Sequence, residues 1–362
     1  MTPTPTPHRP RTLSIGGATY DLFVRTGSSN VVESNGASEL RLPLGAKIPL
    51  QGVIETCGGG AANTSVGLKR LGCDSGFCGI IGSDQWGDRL LKNFAEEGVD
   101  MSAMTVIEKE MTSFSLILSA SSGERVILYE SGTNAHMHDS VFDKSAAFSC
   151  DWIFLNHIHD RSCIIEDDLL EILLKTSPLP SPAGRGQRNL SGDSSFSGPG
   201  LSWNPGGCHI EKGIHEERTQ KLLAATDLLF LNREEALTFT SAKTDVEALH
   251  MLLKAGVATV CITDGPRGAM ASDGTKLYRC AAAEQSEIVD TTGAGDAFGT
   301  GVTWAKLQSM TLPEMLRAGT INALSVLGSF GAQKTLLTET EMHIRIGQHP
   351  LPVEVLDFPS FS

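Results

Sequence analysis

Short apolar runs of strand length alternate with helical patterns through most of this 362-residue chain. The runs are TLSIGGA, SGFCGII, DWIFLN, DLLFLN and TVCITDG, and helices are predicted between them over 61–71, 84–97, 164–175 and 246–254. Apolar strands separated by helices are typical of a parallel sheet that is covered on both faces. We therefore expect an α/β sandwich whose ligands gather at the carboxyl ends of the strands.

Two regions interrupt this alternation. Residues 20–56 and 105–130 contain strand-like stretches with no helix between them, which predicts a small separate sheet that acts as a lid. Residues 176–200 are dense in Ser, Pro and Gly and predict a disordered surface insertion without catalytic consequence. The main domain is predicted over 12–345, between a disordered leader (1–11) and a C-terminal tail (346–362).

The overall charge and composition exclude several classes of function. A formal net charge of −13 argues against a nucleic-acid or anionic-membrane surface. No apolar run approaches the roughly 18 residues of a membrane span, and the Pro- and Thr-rich start lacks the apolar core of a signal peptide. The eight cysteines are scattered without metal-like spacing, which favours buried reduced thiols. A cytoplasmic location is the expectation.

The stretch VDTTGAGDAFGTG, residues 289–301, places four glycines and two aspartates at the mouth of a predicted helix. Gly293, Ala294 and Gly295 would lie at the helix N-terminus, where backbone amides lack helical partners and attract an anion such as phosphate. Asp296 follows in the first turn. It either offsets the helix dipole or acts as a general base beside a transferring phosphoryl group.

Together with this loop, four further motifs resemble those of the ribokinase-like PfkB carbohydrate kinases. They are SIGGATYDLFV, CGGGAANTSVGLKRLG, LFLNREEA and ITDGPRGAMA, which stand in the family's order along the chain. The resemblance implies a ribokinase-like three-layer sandwich with a central, mostly parallel sheet and a small β-sheet lid. It also implies a kinase that uses ATP and Mg²⁺.

The resemblance implies roles for particular residues. It makes Asp296 the base and the backbone of Gly293, Ala294, Gly295 and Asp296 the anion hole. It assigns acceptor hydroxyls to Asp21, Gly58, Gly59 and Asn63. It also assigns nucleotide contacts to Thr263, Gly265, Gly268 and Asn322, and it places Asn232 and Glu235 near magnesium and phosphate. Backbone oxygens near Asp290 would hold a monovalent cation such as K⁺.

Taken alone, two of these motifs have structural explanations that stay open. The glycines at 58–60 permit close approach to a ligand but also suit a tight turn. Asn232 and Glu235 have the spacing of a helix capping box, whereas one carboxylate and one amide beside phosphates would suit hydrated magnesium. His157 and His159 follow a strand at a place where family members vary their acceptor contacts; a shared metal is the other interpretation.

The sequence therefore predicts ATP-dependent phosphorylation of a hydroxyl on a sugar. A nucleoside acceptor is the alternative, for which Phe23, Phe114 and Tyr129 are candidate base-stacking residues. A catalytically silent homologue is a third hypothesis, although both the base and the glycine loop are present. The predicted lid leaves an exposed strand edge, which is compatible with a homodimer.

Overall fold

The computed structural model describes residues 9–25, 31–34, 37–119, 125–137, 144–158, 164–175, 198–282, 288–348 and 351–359. Most of the predicted leader, and the predicted insertion up to residue 197, lie outside the described residues. The fold described below refers to these ranges.

The strands are β1 (Arg11–Ile15), β2 (Thr19–Arg25), β3 (Val31–Ser34), β4 (Ala37–Leu40), β5 (Gly52–Gly58), β6 (Asp74–Cys78), β7 (Ile80–Gly82), β8 (Thr105–Ile107), β9 (Phe114–Ser119), β10 (Arg125–Glu130), β11 (Trp152–Leu155), β12 (Gly200–Trp203), β13 (Leu228–Asn232), β14 (Thr259–Thr263), β15 (Ala269–Ser272), β16 (Lys276–Cys280) and β17 (Val353–Asp357).

The helices are α1 (Gly60–Arg70), α2 (Gln85–Glu97), α3 (Lys144–Phe148), α4 (Ile164–Lys175), α5 (Gly207–Lys212), α6 (Glu217–Ala225), α7 (Arg233–Thr240), α8 (Asp245–Lys254), α9 (Ala294–Leu307), α10 (Leu312–Val326) and α11 (Glu339–Gln348), with short 3₁₀ turns at Gly132–His136 and Gly265–Arg267. The four helices predicted from the sequence all form, with bounds that differ by at most one residue at each end.

A nine-stranded sheet forms the centre of the molecule. Its order is β17-β16-β15-β14-β13-β12-β11-β1-β6, and the strands from β6 to β14 run parallel whereas β15, β16 and β17 run antiparallel. The predicted α/β class and mostly parallel sheet are confirmed. The last strand, Val353–Asp357, lies in the segment predicted as a tail, so the sheet continues beyond residue 345.

Both faces of the sheet are buried under helices, which explains why its central strands are mostly apolar. Along β11, Ile153 and Leu155 pack into one cluster with Trp203. Trp152 and Phe154 point to the other side, into a second cluster that includes Trp304 from α9. Successive strand residues alternate between faces, so a strand covered on both sides favours apolar residues at most positions. This geometry gives three layers.

The predicted lid is a second, four-stranded sheet with the order β10-β9-β2-β5. The pairings are antiparallel except for β2 with β9, which run parallel. One face of this sheet carries Tyr20 and Phe114, which both stack on Trp86 of α2. The ring centroid of Trp86 is 4.9 Å from that of Tyr20 and 5.1 Å from that of Phe114. Asp21 is adjacent to Tyr20 on β2 and faces the other way. The lid is thus anchored to α2 by stacked aromatic rings.

Candidate active site

The fold brings the predicted acceptor residues and the predicted base together. Asn63 in the first turns of α1 donates its amide Nδ2 to the carboxylate Oδ2 of Asp296 at 2.8 Å, across 233 residues of sequence. Gly58 closes β5 directly against Asp21, since a Cβ on this glycine would overlap the Asp21 carboxylate. Gly59 has a φ of 93° and lies against the backbone of Ala18. A side chain at either glycine would therefore be obstructed.

Helix α9 begins at the glycine loop as predicted. Gly293 is its N-cap with a φ of 76°, and a Cβ there would overlap Ala332. At Gly295, by contrast, an added Cβ would meet nothing within 4 Å, so the helix start faces open space. The backbone amide of Ala294 donates to the carbonyl of Thr291 at 3.3 Å. The backbone amides of Gly295 and Asp296 lie in the first turn of α9. These positions suit a bound anion.

The pKa of the Asp296 carboxyl group is raised toward neutral pH. Enclosure by protein raises its pKa to about 6, a hydrogen bond from Asn63 acts in the opposite direction, and the negative charge of Glu235 raises it further. A general base works best when its pKa lies near the operating pH. The environment of this carboxylate is therefore suited to accepting a proton.

Asp21 is another carboxylate of this candidate site whose pKa is raised. It is 6% exposed, and burial raises its pKa to about 7, while a hydrogen bond with Ser115 lowers it and the charge of Asp290 raises it. Desolvation penalises the ionised form of a buried acid. A sugar hydroxyl that donated to Asp21 would supply part of the missing solvation.

The Asp290 carboxylate is already surrounded by donors. It accepts hydrogen bonds from the backbone and the hydroxyl of Thr292 and from the amide of Gly331. Its Oδ1 also forms an ion pair of 3.2 Å with the guanidinium of Arg125, at the start of lid strand β10. The sequence offered no signal for Arg125. This contact joins the lid to the loop that precedes α9.

Asn232 and Glu235 form the capping box that their spacing allows. The side-chain Oδ1 of Asn232 accepts from the backbone amide of Glu235, and the Glu235 carboxylate Oε2 accepts from the backbone amide of Asn232, both at 2.8 Å. Burial raises the pKa of Glu235, and the carboxylate is close enough to act electrostatically on Asp296. Within the described ranges, no group of three or more His, Cys, Asp or Glu residues is arranged so that it could hold a metal ion. One carboxylate is sufficient for a magnesium ion that keeps its waters and binds phosphate.

The nucleotide-loop residues follow β14 at the carboxyl edge of the sheet. Thr263 ends that strand, Gly265 starts a 3₁₀ turn, and Gly268, with a φ of 91°, packs against the Cys280 carbonyl. Here a cavity of about 810 Å³ is lined by residues that include Arg233, Asp264, Arg267, Gly268, Met270 and Arg279. Asn322 is fully buried in α10 and donates to the Ala297 carbonyl at 2.8 Å. A direct contact between Asn322 and a nucleotide would require α10 to move.

Sequence reasoning missed Asn134, which lies on the 3₁₀ turn after β10. Its side chain is 7% exposed, its Nδ2 donates to Thr19 Oγ1 at 3.4 Å and to the Tyr129 hydroxyl at 3.5 Å, and its Oδ1 is buried without a partner. A buried amide oxygen without a partner is uncommon and suits a ligand hydroxyl. Only the folded lid reveals this, because the motif SGTNAH has no distinctive chemistry.

The histidines after β11 are only partly described. His157 is exposed, with its ring against Gly206, and His159 lies outside the described residues. The role of His157 toward an acceptor or a metal stays a prediction.

Comparisons with known proteins identify the family of this chain. Residues 33–161 and 210–339 match the model of the pfkB family carbohydrate kinases. The chain belongs to this family. A ribokinase from Haemophilus influenzae is 28% identical over 289 residues, which cover 78% of this chain and 85% of the relative. The pfkB kinase described here is thus an enzyme of the phosphotransferase class with an alcohol group as acceptor.

Solved structures show the same fold for this pfkB kinase. Arabidopsis thaliana ribokinase complexed with ribose and ATP superposes with a TM-score of 0.73 at 20% identity, over 93% of this chain and 98% of the other. A nucleoside kinase from Methanocaldococcus jannaschii, an archaeal member of the ribokinase family, gives 0.72 at 19% identity, over 94% and 98%. The predicted ribokinase-like fold is confirmed. Among the described helices, none is both long and apolar enough to span a membrane.

The pKa values predict a pH dependence of this pfkB kinase. If Asp296 is the base, it must be ionised, so kcat is expected to be half-maximal near pH 6 and to fall about tenfold per pH unit below pH 5. The kcat/KM for the acceptor should fall already below about pH 7, where Asp21 becomes protonated. Steady-state kinetics from pH 4.5 to 9 would measure both limbs. A kcat that stays constant down to pH 4.5 would contradict the assignment of Asp296.

Proposed function

We propose that this kinase transfers the γ-phosphoryl group of ATP to a hydroxyl of a sugar. Asp296 takes the hydroxyl proton, the hydroxyl oxygen forms a bond to the γ-phosphorus, and the bond from that phosphorus to the β–γ bridging oxygen breaks to release ADP. The amides at the start of α9 stabilise the charge on the phosphoryl oxygens. The observation that supports this most is the Asp296 carboxylate, whose pKa is raised to about 6 and which accepts from Asn63 at the open N-terminus of α9.

The acceptor is proposed to lie between the lid and α1. Asp21, Asn63 and the backbone at Gly58 and Gly59 would bind its hydroxyls, since Asn63 contacts Asp296 and Gly58 lies against Asp21. A rotation of the Asn134 side chain would let its buried Oδ1, which has no hydrogen-bond partner, accept one more hydroxyl. Closure of the lid over this space would exclude water that otherwise competes as acceptor.

ATP is proposed to extend from the start of α9 along the carboxyl edge of the sheet to Thr263, Gly265 and Gly268. Asn322 would stabilise α9 through its hydrogen bond to the Ala297 carbonyl. Glu235, with Asn232 beside it, would hold the waters of Mg²⁺, which neutralises phosphate charge when bound. A potassium ion would use backbone oxygens near Asp290, because the Asp290 carboxylate is engaged by Arg125, Thr292 and Gly331.

The lid favours a sugar over a nucleoside. Of the three aromatic residues considered for base stacking, Phe114 stacks on Trp86 on the other face of the lid, and Phe23 is buried against Phe330. Tyr129 has an accessible ring, with 47% of its surface exposed, but its hydroxyl lies among Ser113 and Asn134. Polar groups around one ring suit a hydroxyl-rich acceptor. The exposed Tyr129 ring keeps a nucleoside as the second candidate.

Edge strand β10 supports a proposed homodimer through the lid. Val126, Ile127, Leu128 and Tyr129 are each between 42% and 51% exposed on this strand. An unpaired strand edge with apolar side chains is suited to pairing with a second copy.

A panel of acceptors tests the proposed function. Purified protein with ATP and Mg²⁺ should release ADP with at least one sugar or sugar phosphate, and kcat/KM for that sugar should exceed the value for any nucleoside. ADP release is measured with a coupled assay, and the Asp296→Asn protein is the matched control. Preference for a nucleoside would select the alternative acceptor, and no turnover with any compound would favour the silent homologue.

A further inference from the structure

Three side-chain amides form a continuous row that ends at Asp296. Asn93 Nδ2 donates to Gln333 Oε1 at 2.8 Å, Gln333 Nε2 donates to Asn63 Oδ1 at 3.1 Å, and Asn63 Nδ2 donates to Asp296 Oδ2 at 2.8 Å. The residues come from α2, the segment after α10, and α1. The outer end, at Asn93 and Gln333, borders a cavity of about 340 Å³.

All three amides have the same polarity. Each donates an N–H toward Asp296, and both Gln333 and Asn63 accept through their oxygen from the amide outside them. An asparagine amide has two orientations of similar shape, one with its nitrogen and one with its oxygen at a given place. The reversed orientation of Asn63 would place its oxygen against the carboxylate oxygen of Asp296. The donor from Gln333 therefore selects the orientation that binds the base.

The segment that carries Gln333 is itself fixed. Arg70 of α1 donates to the backbone carbonyls of Gln333 and Leu336 at 2.8 and 3.1 Å, and its guanidinium pairs with Glu97 of α2. Gln333 is 6% exposed and Asn63 is 5% exposed. Next to them, Ala332 packs against Gly293 and the Gly331 amide donates to Asp290. The segment that carries Gln333 thus packs directly against the glycine loop.

We propose that Gln333 is a positioning residue for phosphoryl transfer: its amide N–H fixes Asn63 so that Asn63 holds the Asp296 carboxylate toward the acceptor hydroxyl. This rests on the proposed function of Asp296 as the base. The charged groups near the row are Glu235, which acts on Asp296, and Arg70 with Glu97, which lie at the Gln333 backbone. Around the cavity at the outer end of the row there are also Glu55, Arg89, Lys92, Glu96 and Lys334.

Two substitutions separate positioning from packing. Gln333→Met keeps the length of the side chain and removes both the donor and the acceptor. Gln333→Glu keeps the shape but offers only acceptors, so Asn63 would turn its nitrogen outward and its oxygen toward Asp296. Gln308→Glu places the same added charge on the exposed far end of α9 and is the matched control. Asn93→Ala tests the outermost amide.

For Gln333→Met we expect kcat at pH 8 to fall roughly tenfold, with the KM for ATP within about threefold, because a displaced catalytic group slows chemistry more than binding. The pH midpoint of kcat should rise by about one unit, since the donor that favours ionised Asp296 is no longer fixed. Gln333→Glu should exceed both effects, Asn93→Ala should show smaller ones, and Gln308→Glu should show neither.

A readout that needs no turnover separates this inference from the proposed function. In ¹³C NMR titrations of the full chain, the carboxyl signal absent from the Asp296→Asn spectrum reports the Asp296 midpoint, which should rise in Gln333→Met. Loss of melting temperature with an unchanged midpoint and unchanged kcat profile would overturn the positioning role. If wild-type protein phosphorylates no acceptor, the proposed function fails, while the midpoint shift still tests the row.

Discussion

Asp296→Asn is expected to lower turnover by roughly 10² to 10⁴, the usual contribution of a general base. Asparagine has nearly the same size and can still accept from Asn63, but it cannot take the proton of an acceptor hydroxyl. Binding of both substrates should survive. Steady-state kinetics with the best acceptor of the panel, at pH 8, measure the effect.

A thermal melt of the same variant provides the control. The folded-state pKa of Asp296 is raised, so ionising this carboxylate lowers the stability of the fold as the pH rises through about 6. Removing the charge should leave the melting temperature at pH 8 unchanged or higher. If Asp296 served only the helix dipole, the variant would lose about 0.3 to 1 kcal/mol of stability and keep its turnover. Near-normal turnover would exclude the proposed mechanism.

Asp21→Asn is expected to lower kcat/KM for the acceptor by roughly 10- to 100-fold, which matches the roughly 1.5 to 3 kcal/mol of a hydrogen bond to a charged group. Asparagine fits beside Gly58, whereas it offers no charge to an acceptor hydroxyl. The KM for ATP should stay within a few fold, since Asp21 belongs to the lid strand and the nucleotide residues follow β13 and β14. Kinetics with each substrate varied in turn separate the two.

The matched variant for this test is Ser115→Ala, which removes the neighbour that hydrogen-bonds Asp21 and keeps the carboxylate. It should weaken acceptor use less than Asp21→Asn does. An equal loss of acceptor and ATP binding in Asp21→Asn would assign this residue another role.

Much of the architecture follows from local sequence. Apolar runs bounded by helical patterns predicted the parallel sheet because strands covered on both faces are rich in apolar residues. The bounds of α2 follow from Asp84, whose side chain caps the first turn, and from Gly98, which ends the helix in a left-handed conformation. The glycine loop predicted an open helix start, and the structure has one at Gly295. These features depend on residues close together in the chain.

The tertiary structure decided which distant side chains meet and which way each one faces. The sequence assigned Asn63 to the acceptor, but its contact with Asp296 and its support from Gln333 exist only because α1, α9 and the segment after α10 pack together. The direction of Phe114, toward Trp86 and away from the Asp21 face of the lid, follows from its pairing with Tyr20. Strand β17 joined the sheet through pairing with β16. The raised pKa values of Asp21 and Asp296 likewise arise from desolvation in the folded chain, which no local pattern encodes.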